Sequence, residues 1–80
     1  MNIKKQIKKQ MIAAIKKRVD AAPNKTIETR KEGIHSILGY NERNQLVEGR
    51  DYCGWETLKN LDEYDLFEIC LLIGVTIKID

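Results

Sequence analysis

Apolar residues recur every three or four positions through the first nineteen residues, and this spacing constrains the fold more than any other feature of the chain. The residues that carry the pattern are Ile3, Ile7, Met11, Ile12, Ala14, Ile15 and Val19. At 100° per residue they cover about half the circumference of a helix. Glycine and proline are absent before Pro23, and proline disfavours helix at the residue before it. The sequence therefore predicts an amphipathic helix over Ile3–Val19.

The polar side of this predicted helix is basic. Residues 1–40 hold ten basic and three acidic residues, whereas residues 41–80 hold four and nine, so a formal charge of +2 hides two halves of opposite sign. A surface of one sign attracts opposite charge at a distance. The predicted contact residues for a partner protein or a nucleic acid are therefore lysines on the polar side of the helix, namely Lys5, Lys9, Lys16 and Lys17.

A second, shorter helix is predicted to start at Thr26 or Thr29 and to end at Leu38. Thr29 and Glu32 have the spacing of a capping box, and Gly39 suits a left-handed cap after the last turn. The polar stretch 40–54 is predicted as a loop with a short extended piece at Leu46-Val47. One or two helical turns are expected over residues 55–61, where three large apolar residues are spaced by three.

A third long helix is predicted over residues 63–73. Asp62 is placed as its N-cap, since early acidic residues favour a helix N-terminus, and Gly74 marks its end. The second half of this helix is apolar on all sides, which predicts that it forms the buried centre of the fold and that Cys70 is a core residue. After Gly74, apolar and polar residues alternate over residues 75–79, which predicts a β-strand. Its partner is left open between Leu46-Val47, residues 25–29 and another copy of the chain.

The segment Leu58–Val75, LKNLDEYDLFEICLLIGV, resembles half of a SAP (helix–extension–helix) module. The resemblance lies in a Leu-x-x-Leu motif, an acid-capped helix and a closing Gly-Val. The second, basic helix of that module has no counterpart before the chain ends at Asp80. The resemblance implies a helical segment here, and no function is carried over from it.

Together these patterns predict a mainly α fold, a small α+β arrangement of three to four short helices around one core with a C-terminal β-strand. Eighty residues are expected to form a single domain, residues 1–80. Within it, residues 1–20 are the basic amphipathic helix, and residues 21–80 are the helical core with its strand.

The residues available for chemistry are few. His35 and Ser36 are the only histidine and serine, and on a helix they point about 100° apart, so they form no nucleophile–base pair there. With Cys53 and Cys70, His35 gives three soft metal ligands without metal-site spacing. No phosphate-binding glycine loop occurs. The sequence predicts a protein that is not an enzyme and that has no metal or cofactor.

The expected function is that of a small accessory or regulatory protein that binds a partner protein stoichiometrically. The alternative is a nucleic-acid-binding protein that uses the basic helix; an anionic membrane surface and a purely structural helix are further interpretations. Self-association is also expected. Absence of a secretory signal or a long apolar run predicts a cytoplasmic protein without a membrane span. The Ile-, Lys- and Asn-rich composition hints at a phage or mobile-element source.

Overall fold

The computed structural model describes residues 3–50 and 53–77 of the chain. Within them it has two α-helices, a four-stranded antiparallel sheet and two short 3-10 helices. The elements are α1 (Ile3–Asp20), a 3-10 helix (Pro23–Lys25), β1 (Thr26–Lys31), β2 (Ile34–Tyr40), β3 (Leu46–Arg50), β4 (Cys53–Thr57), a 3-10 helix (Leu58–Asn60) and α2 (Glu63–Leu72). The fold is therefore α+β, and the predicted mainly α fold of three to four helices is wrong.

The N-terminal helix is confirmed. It spans Ile3–Asp20 and buries three side chains of the predicted apolar stripe, Met11, Ile15 and Val19. The chain then turns through Pro23–Lys25, where Asn24 and Lys25 adopt positive φ angles of 56° and 51°. This turn reverses the chain so that β1 runs back beneath the helix.

The predicted second helix is instead the hairpin of β1 and β2. Its two-residue turn is Glu32-Gly33, and both residues have positive φ, 52° and 83°. Turns of this kind match the twist of paired strands, which explains the glycine. Ile27 pairs with Leu38 across the hairpin, and Lys31 pairs with Ile34. The spacing read as a capping box is thus part of a strand and its turn, and Gly39 lies within β2.

The predicted loop over residues 40–54 contains two more strands. β3 pairs with β2 and extends the predicted piece at Leu46-Val47 to Arg50, and β4 follows as the second edge strand. Between β2 and β3, the Asn41 side chain accepts hydrogen bonds from the backbone N–H groups of Arg43 and Gln45, both at 2.9 Å. The predicted helical turns at 55–61 are therefore the end of β4 and the short 3-10 helix.

The C-terminal helix is confirmed, and the strand after it is not. Asp62 caps α2, because its carboxylate accepts a hydrogen bond from the Asp65 N–H at 2.8 Å. Gly74 has a φ of 73°, as a left-handed C-terminal position requires. Residues 75–77 are not in a strand; Val75 donates its N–H to the Cys70 carbonyl at 2.8 Å. The rest of the predicted strand lies outside the described residues.

Both helices pack on one face of the sheet, named here the helical face, and the core lies between them and the sheet. The core side chains are Met11, Ile15, Val19, Leu38, Leu46, Leu58, Leu61, Leu66, Ile69, Cys70 and Ile73. The opposite face is named the open face, and neither described helix lies on it. By strand register and alternation it carries Thr26, Glu28, Arg30, His35, Ile37, Gly39, Val47, Gly49, Trp55 and Thr57.

Candidate functional site

The four predicted contact lysines are all exposed on α1, but they do not form one group. At 100° per residue, Lys5, Lys9 and Lys16 fall within an arc of about 40°, and Lys17 points about 100° away from Lys16. Lys16 also lies 3.9 Å from the Asp20 carboxylate. The helix therefore presents three of the four predicted lysines on one side.

Other lysines contact residues later in the chain. Lys4 lies 3.8 Å from Glu63, and Lys31 lies 3.5 Å from Glu68. The Lys8 ammonium donates to the Lys59 carbonyl at 3.4 Å. Exposed ion pairs of this kind contribute little to stability. They do show that part of the basic charge faces acidic α2 rather than an external partner.

His35 and Ser36 are on a strand rather than a helix, so their side chains point to opposite faces of the sheet. His35 Nε2 lies 3.9 Å from Glu28 Oε2 on the open face, whereas Ser36 is buried on the helical face. Neither side chain is placed to activate the other. Among residues 3–50 and 53–77, no group of three or more His, Cys, Asp or Glu side chains is placed to hold a metal ion.

Cys70 is a core residue, as predicted. Its side chain is 1% exposed, and burial raises the pKa of its thiol. The side chain of Cys53 lies outside the described residues, so its predicted exposure stays a prediction.

The open face displays an exposed tryptophan. The Trp55 side chain is 60% exposed, although it belongs to a strand with three ordered neighbours in its sheet. Its ring lies over Gly49 of β3, where an added Cβ would meet the ring atoms at 2.5 Å. Only glycine leaves space for the ring at this point. The chain thus devotes two residues, Trp55 and Gly49, to holding a large aromatic group flat against the sheet while most of it faces solvent.

Residues around this aromatic group are mixed in character. Ile37 pairs with Gly49 in β2 and is half-buried, and Val47 is buried beside it. Glu28 and Arg30 of β1 are exposed farther across the same face. The open face therefore combines an apolar centre near Trp55 with charged residues at its margin.

A second surface lies on the other side of the molecule, between α1, α2 and residues 75–77. It is a groove of about 420 Å³, named here the helix groove, whose walls include Ile7, Met11, Phe67, Leu71 and Ile77. Three of the side chains along α2 remain exposed, namely Tyr64 (75%), Phe67 (55%) and Leu71 (63%). The prediction that the second half of α2 is buried on all sides is wrong, because only its inner face enters the core.

Two polar pairs flank these surfaces. Glu48 is buried on the helical face and accepts a hydrogen bond from Arg50 Nε at 2.9 Å. The Glu48 hydrogen bond is the main reason that the pKa of Arg50 is raised. At the end of α1, the Tyr40 hydroxyl donates to Asp20, and this bond raises the Tyr40 pKa to about 12.

Sequence reasoning missed Trp55, Gly49 and the exposed stripe of α2. A Gly-x-x-x-x-x-Trp spacing has no meaning until the two strands pair, so no local signal identified that site. The stripe at Tyr64, Phe67 and Leu71 does have a local signal, because its spacing of three and four marks one helix face.

Comparison with protein-family models, with curated protein sequences and with solved structures finds no match for this chain. Within the described residues, neither helix has the length and apolar character needed to cross a membrane.

Proposed function

We propose that the protein is a small non-catalytic accessory protein that binds another protein stoichiometrically, and that the open face of the sheet contacts this partner. The observation that carries the proposal is the exposed Trp55 ring held over Gly49. A side chain this large and apolar gains free energy when a partner removes it from water. Its exposure has no benefit for the isolated fold.

The surroundings of Trp55 fit a protein interface. Binding energy at such interfaces is concentrated in a few tryptophan, tyrosine and arginine side chains, surrounded by residues that exclude water. Trp55 is close to the apolar Ile37 and Val47, and Arg30 lies on the same face. Because Gly49 and the sheet already hold the ring, little side-chain entropy is lost on binding.

The proposal is tested by capture of partners from the source cell, with and without nuclease, using the wild-type protein and Trp55→Ala. We expect a nuclease-resistant protein to be retained by the wild type and lost from Trp55→Ala. Tyr64→Ala is the matched control, because it removes an exposed aromatic group from the other side of the molecule. Loss of the partner from Tyr64→Ala with retention by Trp55→Ala would contradict the assignment to the open face.

The lysine side of α1 favours nucleic acid as a second candidate ligand. Lys5, Lys9 and Lys16 are exposed on one side of an 18-residue helix, so their ammonium groups can follow a row of phosphates. The triple replacement of these residues by Gln should flatten the salt dependence of binding by about 0.9 log unit per lost phosphate contact. Lys17→Gln, on a different side of the helix, is the control. Absence of binding to duplex or single strands at low salt excludes this candidate.

A further inference from the structure

The helix groove has the geometry of a helix-packing surface. Tyr64, Phe67 and Leu71 follow one another at spacings of three and four on α2, and Ile7 of α1 faces them across the groove. Such spacing is that of the a and d positions through which helices pack together. The stripe is exposed along more than one full turn of α2, which is unusual for an isolated surface helix.

The walls of the groove define what kind of segment can lie in it. They are formed mainly by side chains of two helices, and helix backbones already satisfy their own hydrogen bonds. An extended peptide in the groove would leave its backbone N–H and C=O groups facing apolar side chains without partners. A helix satisfies these groups internally. The occupant is therefore helical, with apolar side chains toward the groove.

Charge identifies the helix. α1 carries seven basic residues and one acidic residue, and α2 carries three acidic residues and no basic residue. A two-fold axis that runs along the groove places α1 of each copy over α2 of the other, so that opposite charges meet twice. We infer that the helix groove is the interface of a homodimer, in which the apolar stripes of two copies of this chain pack together.

This dimer is independent of the proposed contact at Trp55. The helix groove and the open face lie on opposite sides of the sheet, so a dimer formed through its helices presents two open faces outward. Failure of one assignment leaves the other intact, because each depends on a different aromatic residue.

Sedimentation equilibrium of the 80-residue protein tests the inference. We expect the wild type to be a dimer and Phe67→Asp to be a monomer, with the dissociation constant raised at least about a hundredfold because each substitution removes two contacts in a two-fold interface. Leu71→Lys should have the same effect. Both side chains are more than half exposed in the monomer, so circular dichroism should show an unchanged fold. Trp55→Ala is the matched control and should remain dimeric.

Salt gives a second measurement. If α1 of one copy faces α2 of the other, rising sodium chloride weakens the dimer, because it screens the opposite charges. A dimer that salt leaves unchanged or strengthens overturns the arrangement of α1 over α2. A monomeric wild type overturns the inference altogether and assigns the groove to a different helix. A dimer that survives both Phe67→Asp and Leu71→Lys overturns it as well.

Discussion

Glu48 is an acidic side chain with only 4% of its surface exposed, and Arg50 is what makes its burial possible. The Arg50 Nε donates to Glu48 Oε1 at 2.9 Å, and Asp65 and Glu68 add to the favourable charge around the guanidinium. A buried ion pair gains little over a packed apolar pair, but an unpaired buried charge is strongly unfavourable. The consequence is an asymmetry between the two partners.

Arg50→Ala should therefore lower the free energy of unfolding by roughly 2 kcal/mol, which is below the usual loss for a fully buried pair because Arg50 is partly exposed. Adding Glu48→Leu to this variant should restore at least half of the loss, since it removes the stranded carboxylate. Urea unfolding of the wild type, both single variants and the double variant measures the effect. If the double variant is less stable than Arg50→Ala, the carboxylate is not the source of the loss.

Tyr40 gives a pH-dependent prediction. Its hydrogen bond to Asp20 raises the pKa of the hydroxyl from 10.0 to about 12 in the folded protein, so the bond stabilises the fold fully below pH 10. As the pH rises through 12 the hydroxyl ionises in both states and the contribution is lost. Tyr40→Phe should lower the stability by about 1 kcal/mol at neutral pH, allowing for solvent screening, and the difference should vanish toward pH 12. Chemical unfolding of both proteins across this range measures it, and a constant difference would contradict the assignment.

Among the elements, the two helices were predictable and the sheet was not. α1 and α2 carry their signals locally, in a repeat of three and four and in the Asp62 cap. The β1–β2 segment carries two conflicting signals, because the residues from Thr29 to Glu32 match a capping box while Glu32-Gly33 matches a hairpin turn. Pairing with β3 decides between them, and pairing is a long-range event that no local pattern reports.

The same reason explains what could be predicted of the candidate sites. The exposed lysines follow from the position of α1 alone. The exposure of Trp55 depends on Gly49 in another strand, and the exposure of Phe67 and Leu71 depends on how α2 sits on the sheet. An apolar helix segment was predicted to be buried because composition does not show which of its sides meets the core.

Strand β3 leads to a prediction about Trp55. Gly49→Ala puts a methyl group where the ring lies, so the ring must move and its contact with the sheet is lost. We expect a loss of stability of about 1–3 kcal/mol, the usual range for overpacking, together with a red shift of the tryptophan fluorescence. Gly54→Ala, in the adjacent strand, is the control, since an added Cβ there has no atom within 4 Å. Equal spectra for the two variants would contradict the position of the ring.

At the scale of the whole molecule, α1 is part of the only core that the described residues form. Met11, Ile15 and Val19 are fully buried among side chains of the sheet and of α2. A basic N-terminal helix can also occur as a detachable arm on a separately folded domain. The packing instead predicts that the chain unfolds as a single unit, since loss of α1 would expose Leu38, Leu66 and Ile69 together.

Ile15→Ala tests this prediction, because the side chain is completely buried in α1. We expect it to lower the free energy of unfolding by about 3 kcal/mol, the middle of the range for such cavities. Ile3→Ala, at an exposed position of the same helix, should change the stability by less than about 0.5 kcal/mol. Circular dichroism at 222 nm, roughly the region that reports helix, and Trp55 fluorescence, which reports the sheet, should give coincident transitions in both variants and in the wild type. A helix signal that melts before the fluorescence would show that α1 is detachable and that the chain is not one cooperative domain.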